Sequence, residues 1–239
     1  MTTLHPVAFV CPRCRQVFVS SVLGSYGQVG SHTDLCPRFT GANPLPCFLH
    51  RCSGCGFIAY QDEFGEGEPR GSGFDHGFAE LYPSESGVVR YTDAAAYYES
   101  RGADQETVGW LYLRAAWCAR YEQRGDDEQR MLAEAARWFA AALAEGAVEP
   151  AEQAQTTYLV GELHRRCGEF TSALEYFGRA RALPAEGEAT EWLPGLIARQ
   201  HAMAEARDAA PAELPPRPKP AAAASPKGWL ARLRRLAGG

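Results

Sequence analysis

The chain has 239 residues, of which 46% are hydrophobic and 22% are charged, and its net charge is −5. This composition is typical of a folded soluble protein with one large domain or two small ones. Because the sequence contains no run of eighteen apolar residues and no secretory signal at its N-terminus, we expect a cytoplasmic protein. In that reducing setting, the eight cysteines are expected to be metal ligands or free thiols rather than disulfides.

Charge is distributed unevenly along the sequence. Residues 1–60 carry four arginines and one acid, for a net charge of +3. Residues 61–208 carry 14 basic and 27 acidic side chains, for −13, and residues 209–239 carry six basic and one acidic, for +5. An acidic body repels nucleic acid and anionic membranes, so contacts with either would have to use one of the basic ends.

Two C-x2-C pairs, separated by 37 residues, are formed by Cys11 with Cys14 and by Cys52 with Cys55. Both sulfurs of such a turn can face one ion, and four thiolates are the ligand set that tetrahedral zinc prefers. Short apolar runs at residues 7–10, 17–22 and 57–60 predict strands that enter and leave the turns. The pattern predicts a zinc ribbon over residues 1–66. Its zinc would be structural, because catalytic zinc usually keeps one position open to water.

Other chemistry remains possible for these cysteines, namely free thiols, an iron–sulfur cluster or a redox dithiol. Cys36 and Cys47 lie between the two pairs. We interpret Cys36 as a buried thiol, with a nucleophile paired to His32 or His50 as the alternative. Neighbouring Asp34 is interpreted as a turn-forming residue.

From about residue 88 onward, apolar residues recur at helical spacing, and we expect a leading helix in a connector over residues 67–100. A helical domain is predicted over residues 101–208, with a capping helix at residues 186–208. Its repeated small–aromatic–small triplets, 38 residues apart, are Ala135, Phe139, Ala142 and Ala173, Phe177, Ala180. The second unit resembles a tetratricopeptide repeat.

The first of these two units is longer than the second. The interval from Arg114 to Ala135 is 21 residues, whereas that from Gly161 to Ala173 is 12. We therefore expect an extended turn or second helix in the first unit. The predicted fold class is α+β and mostly α, a small β zinc ribbon followed by tetratricopeptide-like antiparallel helical hairpins. Such hairpins stack and leave a concave groove that binds peptides or simply supports the fold.

The C-terminal region, residues 209–239, begins with a proline- and alanine-rich linker and ends with a short basic segment. On a helical wheel, apolar and basic side chains of residues 227–236 separate onto two sides. The segment could dock on an anionic membrane surface, on an acidic groove or on the acidic body of this chain, or it could be a disordered solubilising end. The candidate partner-binding residues are Trp229, Leu233, Arg232 and Arg235.

Several motifs occur here in the order CPRCRQVF, DLCPRFTGANPL, CSGCGFIAYQDEF and GWLYLRAAWCARYEQRGD. In this order they resemble the bacterial domain of unknown function family 2225, over about residues 6–183. The resemblance implies a ribbon-type zinc site on the four paired cysteines followed by tetratricopeptide-like helices. It implies no biochemical role.

Three functions fit the sequence. The first is a non-enzymatic cytoplasmic adaptor that holds structural zinc and binds protein partners through its helical repeats. It is favoured by the complete thiolate set and the lack of a phosphate-binding loop or an HExxH motif. The second is a thiol-dependent enzyme at Cys36. The third is a nucleic-acid-associated factor, whose candidate contact residues are Arg13, Arg15, Arg38, Arg51, Phe18, Tyr26 and Phe39.

Overall fold

The computed structural model describes residues 2–67, 81–185 and 189–214. Small antiparallel sheets near the N-terminus precede a series of helices, which confirms the predicted α+β, mostly α class. The strands are β1 (Thr3–Val10), β2 (Val17–Ser25), β3 (Gly27–Ser31), β4 (Pro37–Thr40), β5 (Leu49–Arg51), β6 (Ile58–Tyr60) and β7 (Gly65–Glu66). The helices are α1 (Gly87–Ser100), α2 (Gln105–Tyr121), α3 (Gly125–Ala144), α4 (Gln153–Arg166), α5 (Phe170–Ala182) and α6 (Ala189–Glu205).

Each cysteine pair lies at the tip of an antiparallel hairpin. In the first hairpin β1 pairs with β2, and Val10 and Val17 are the last partners before the turn. In the second, β5 pairs with β6, and Arg51 lies opposite Ile58. The segment between the two hairpins forms a third antiparallel pair, β3 with β4, which lies outside the predicted strands.

The two cysteine hairpins share an aromatic core that also contacts the first helix. Phe9, Phe18 and Phe64 are buried together, with ring centroids 5.4–5.9 Å apart. Phe57 lies in the same cluster and meets Tyr97 of α1 edge to face at 4.8 Å. Burying these rings joins the cysteine hairpins to α1.

Successive helices pack against one another. The same type of contact, between a glycine and a phenylalanine, occurs inside two of the helical hairpins. In the hairpin of α2 and α3, a Cβ added at Gly109 would lie 3.2 Å from the ring of Phe139. In the hairpin of α4 and α5, a Cβ added at Gly161 would lie 2.9 Å from the ring of Phe177. Each glycine therefore makes room for an aromatic side chain of the following helix, which stabilises a close crossing.

The first of these hairpins is longer because both of its helices are longer. The turns are equal, since residues 122–124 and residues 167–169 each make a three-residue connection. Gly109 lies 12 residues before the end of α2, whereas Gly161 lies five residues before the end of α4. Phe139 lies 14 residues after the start of α3, whereas Phe177 lies seven residues after the start of α5. Each helix thus gains seven residues, about two turns. Of the two expected alternatives, the extended second helix is present and the extended turn is not, and the first helix carries the other half of the extension.

The segment between the cysteine pairs is fastened to the helices by buried ion pairs. Asp34, whose side chain is fully buried, receives hydrogen bonds from both guanidinium nitrogens of Arg120 and lies 3.5 Å from Arg166. Glu128 completes the group, with its carboxylate 2.8 Å from Arg120 and 2.7 Å from Arg166. Asp34 is therefore more than a turn former, because it connects the β3–β4 segment to α2 and α4.

A second buried group lies beside the first. The hydroxyl of Thr33 donates to Glu162 at 2.6 Å, and Glu162 is paired with Arg165 at 2.7 Å. Arg165 also donates to the carbonyl of Ala210 at 3.1 Å. The chain then runs beside the end of β3, where the Leu214 N–H donates to the carbonyl of Ser31 at 2.9 Å. The described chain is thus packed as far as Leu214, beyond the predicted start of the linker at residue 209.

Candidate metal centre

The sulfurs of the four paired cysteines converge on one point. The Sγ atoms of Cys11 and Cys55 are 3.6 Å apart, as are those of Cys14 and Cys52, and all four lie within 4.8 Å of one another. Four sulfurs that surround a zinc ion at 2.3 Å in a tetrahedron are separated by about 3.8 Å. The observed spacing fits that arrangement, so the cluster could hold a metal ion.

Both cysteine turns have the same backbone conformation and the same pattern of hydrogen bonds. The N–H of Arg15 donates to the carbonyl of Cys11 at 2.9 Å, and the N–H of Gly56 donates to the carbonyl of Cys52 at 3.0 Å. Arg15 and Gly56 both have left-handed backbones, with φ of 62° and 72°. In each turn the N–H of the first cysteine donates back to a residue beyond the turn, at 2.9 Å and 2.8 Å. Two equivalent turns therefore present two sulfurs each to a shared centre.

Electrostatics at the cluster favours one thiolate before any cation binds. Burial opposes ionisation of Cys11, but the N–H groups of Cys14 and Arg13 and the neighbouring thiols outweigh it and lower the pKa of Cys11 to about 7. Burial raises the pKa of Cys52. A soft divalent cation would allow all four sulfurs to be thiolates, because metal coordination favours the thiolate over the thiol.

Cys36, the candidate nucleophile, lies in a different environment from the four paired cysteines. Cys36 is 1% exposed, and burial together with the charge of Asp34 raises the pKa of its thiol far above the ordinary value. His50, one of the histidines considered as its base, instead shares a 2.9 Å hydrogen bond with the hydroxyl of Ser20. A buried, protonated thiol is a poor nucleophile. Cys47 is buried as well, and its pKa is raised to about 12 by burial.

Two of the four N-terminal arginines already pair with acids. Arg38 is bound to Glu213 at 2.5 Å, and Arg51 is bound to Glu85 at 2.9 Å and to Asp93 at 2.7 Å. Among the aromatic candidates for stacking on bases, Phe18 is buried in the core, Phe39 is half-buried and Tyr26 is 40% exposed. Trp229, Leu233, Arg232 and Arg235 of the C-terminal segment lie outside the described residues.

Sequence spacing did not reveal the buried charges around Asp34. Its partners follow 86 to 132 residues later, and no local motif links them. One signal was available, since Asp34 is the only acidic residue among the first 60. An isolated acid in a basic segment indicates a specific cationic partner, because a carboxylate that is buried must be paired.

The fold and the cysteine cluster define a protein with four converging cysteines on paired hairpins, joined to stacked helical hairpins. A family model described as an uncharacterized protein conserved in bacteria, DUF2225, matches residues 6–203. The chain therefore belongs to this family, as the sequence resemblance predicted. No curated protein and no solved structure matches it. In the part of the chain that the structure describes, every helix is too short or too polar to cross a membrane.

Proposed function

We propose that this protein is a non-enzymatic cytoplasmic adaptor, in which a structural zinc ion fixes the N-terminal module and the helical hairpins bind a protein partner. The observation that carries the proposal is the convergence of four sulfurs within 4.8 Å on two equivalent turns. Four protein ligands fill a tetrahedral zinc site and leave no position for substrate or water, which favours a structural role. Because all four sulfurs lie within 4.8 Å of one another, they surround room for a single ion rather than for a multi-iron cluster.

The buried contacts between the modules support a scaffold. The Asp34 group and the Thr33 group fix the β3–β4 segment to the helices, and the rings of Phe57 and Tyr97 fix the cysteine hairpins to α1. A rigid connection of this kind presents two surfaces at a constant geometry. The burial of Cys36 supports the adaptor over a thiol enzyme.

Metal analysis of the purified full chain tests the zinc site. We expect one equivalent of zinc per chain, absent from Cys14→Ser and Cys55→Ser variants. Cys167→Ser is the matched control, because Cys167 is half-buried on the helices, remote in sequence from either turn. A natively folded chain that carries iron, or no metal at all, would overturn the assignment.

Affinity capture from native lysate tests the partner, with the full chain compared with a chain that ends at Leu214. We expect at least one protein to be enriched with either form and then to bind the purified chain directly. Absence of any reproducible partner with both forms would count against an adaptor. A steep loss of RNA or DNA affinity with added salt would favour the nucleic-acid alternative instead, and rapid native labelling of Cys36 would favour the enzyme.

A further inference from the structure

An open cleft lies where α2, α4, α6 and the β3–β4 segment meet. Its lining includes Leu35, Trp110, Tyr158 and Trp192, and most of its empty space is a mouth that is open to solvent. The ring of one large side chain can therefore lie against its floor, but an entire helix cannot enter it.

The rim of this cleft is acidic. Glu106 and Glu152 are the charged residues of its described lining. Further carboxylates lie on the same helix ends, for example Glu145, which accepts a 2.5 Å hydrogen bond from Gln105. An aromatic floor with an acidic rim suits a ligand that combines a large apolar group with positive charge.

One polar atom on the cleft wall lacks a partner among the described residues. The side-chain oxygen of Gln155, which lines the cleft, is buried and accepts no hydrogen bond within the described ranges. A buried acceptor without a donor costs free energy, so a ligand that brings an N–H group to this point gains affinity. Indole and guanidinium groups both supply such a donor.

The described chain ends beside the cleft. Leu214 packs in the same hydrophobic cluster as Tyr158 and Trp192, two residues of the cleft lining. Trp229 follows 15 residues later, and an extended proline-rich linker of that length spans up to ~45 Å. The basic segment is thus tethered next to the acidic rim, at an effective concentration on the order of millimolar.

We propose that residues 227–236 of this same chain dock in the cleft, with the Trp229 side chain inside it and the basic side chains on the acidic rim. Residues 215–239 contain six basic residues and no acid, so their charge is opposite to that of the rim. Tryptophan and arginine, which both occur in this segment, are among the residue types enriched at binding hot spots. The proposal goes beyond the adaptor function, because it makes the chain occupy its own groove.

Fluorine NMR of the full chain, with 5-fluorotryptophan at all five tryptophans, tests the docking. The Trp229 signal is assigned by its loss in Trp229→Phe. In the native wild-type chain, we expect the fluorine chemical shift of Trp229 to differ from its value in the chain unfolded by urea. In the Glu106→Lys, Glu152→Lys double variant it should move to the urea position, while the signals of Trp117 and Trp138 stay in place and report that the fold is intact.

A matched control has the same change of net charge on exposed acids elsewhere, Asp126→Lys with Glu175→Lys, and should leave the Trp229 signal displaced. Reciprocally, Trp229→Ala should shift the signals of Trp110 and Trp192. A Trp229 signal at the urea position in the wild-type chain would overturn the proposal. So would a displacement that grows with protein concentration, which indicates a second copy, or one that appears only with phosphatidylserine vesicles, which indicates a membrane.

Discussion

The carboxylate of Asp34 is bound by the guanidinium of Arg120, 86 residues further along the chain. Asp34 comes from the segment between the two cysteine pairs, and Arg120 is in the last turn of α2. Arg166 of α4 approaches the same carboxylate at 3.5 Å. One buried aspartate therefore contacts two helical hairpins at once, and it is the point where the N-terminal module and the helices depend on each other.

Replacing Asp34 with asparagine should cost about 3–5 kcal/mol of unfolding free energy, because Arg120 and Arg166 would remain buried with one carboxylate fewer. Denaturant unfolding of the full chain measures this cost. Glu134→Gln is the control, since Glu134 pairs with Arg137 at 2.9 Å on the surface, where the side chains are 39% and 59% exposed. An exposed pair contributes less than about 1 kcal/mol. Equal losses in the two variants would contradict the proposed role of Asp34.

The cost of Asp34→Asn should also depend on pH. Burial alone would raise the pKa of Asp34, but the charges of Arg120 and Arg166 outweigh it and hold the pKa below its ordinary value of 3.8. Because the native pKa is the lower one, the stabilisation is complete above the unfolded pKa and is lost as the pH falls through the native value. The unfolding free energies of the wild type and the variant should differ by a constant amount from neutral pH to about 4. Below that pH the two values should become equal. A difference that persists unchanged at the lowest pH would refute this assignment.

Removal of the metal should affect the cysteine hairpins more than the helices. The hairpin core around Phe9, Phe18 and Phe64 is small, and apparent zinc binding in small domains contributes on the order of 10 kcal/mol to folding. Most of the residues of the larger core, which includes Leu132 and Phe139, come from the helices. With a strong chelator, we expect the near-ultraviolet circular dichroism to change while most of the far-ultraviolet helical signal remains. Addition of zinc should restore the near-ultraviolet signal. Simultaneous loss of both signals would show one cooperative unit instead.

Local patterns in the sequence predicted the features that depend on neighbouring residues. The C-x2-C turns, the strands beside them and the helical periods of Phe139 and Phe177 each follow from short-range spacing. The match of these motifs to the family was predicted for the same reason. The four sulfurs could be grouped because each turn fixes two of them and zinc requires four.

Features that depend on distant contacts were missed. The β3–β4 pair has few apolar residues and includes Gly27 and Gly30, so its strands lack an alternating pattern. The extension of the first hairpin was located only in part, because Arg114 was aligned with Gly161, whereas Gly109 makes the equivalent contact in the structure. Helix length and turn length cannot be separated without the partner atom across the hairpin. Long-range pairing of this kind has no local sequence signal.

The contact between Gly161 and Phe177 gives the sharpest test of the hairpin geometry. A methyl group at position 161 would lie 2.9 Å from the ring, closer than carbon atoms normally approach, so Gly161→Ala should destabilise the chain by about 1–3 kcal/mol. Gly178→Ala, in the exposed face of α5, meets nothing within 4 Å and should instead stabilise by about 0.5–1 kcal/mol, because alanine favours helices more than glycine does. Thermal and denaturant unfolding of both variants measure whether the free energy of unfolding falls in Gly161→Ala and rises in Gly178→Ala. If Gly161→Ala were also stabilising, the helices could not cross as closely as the structure describes.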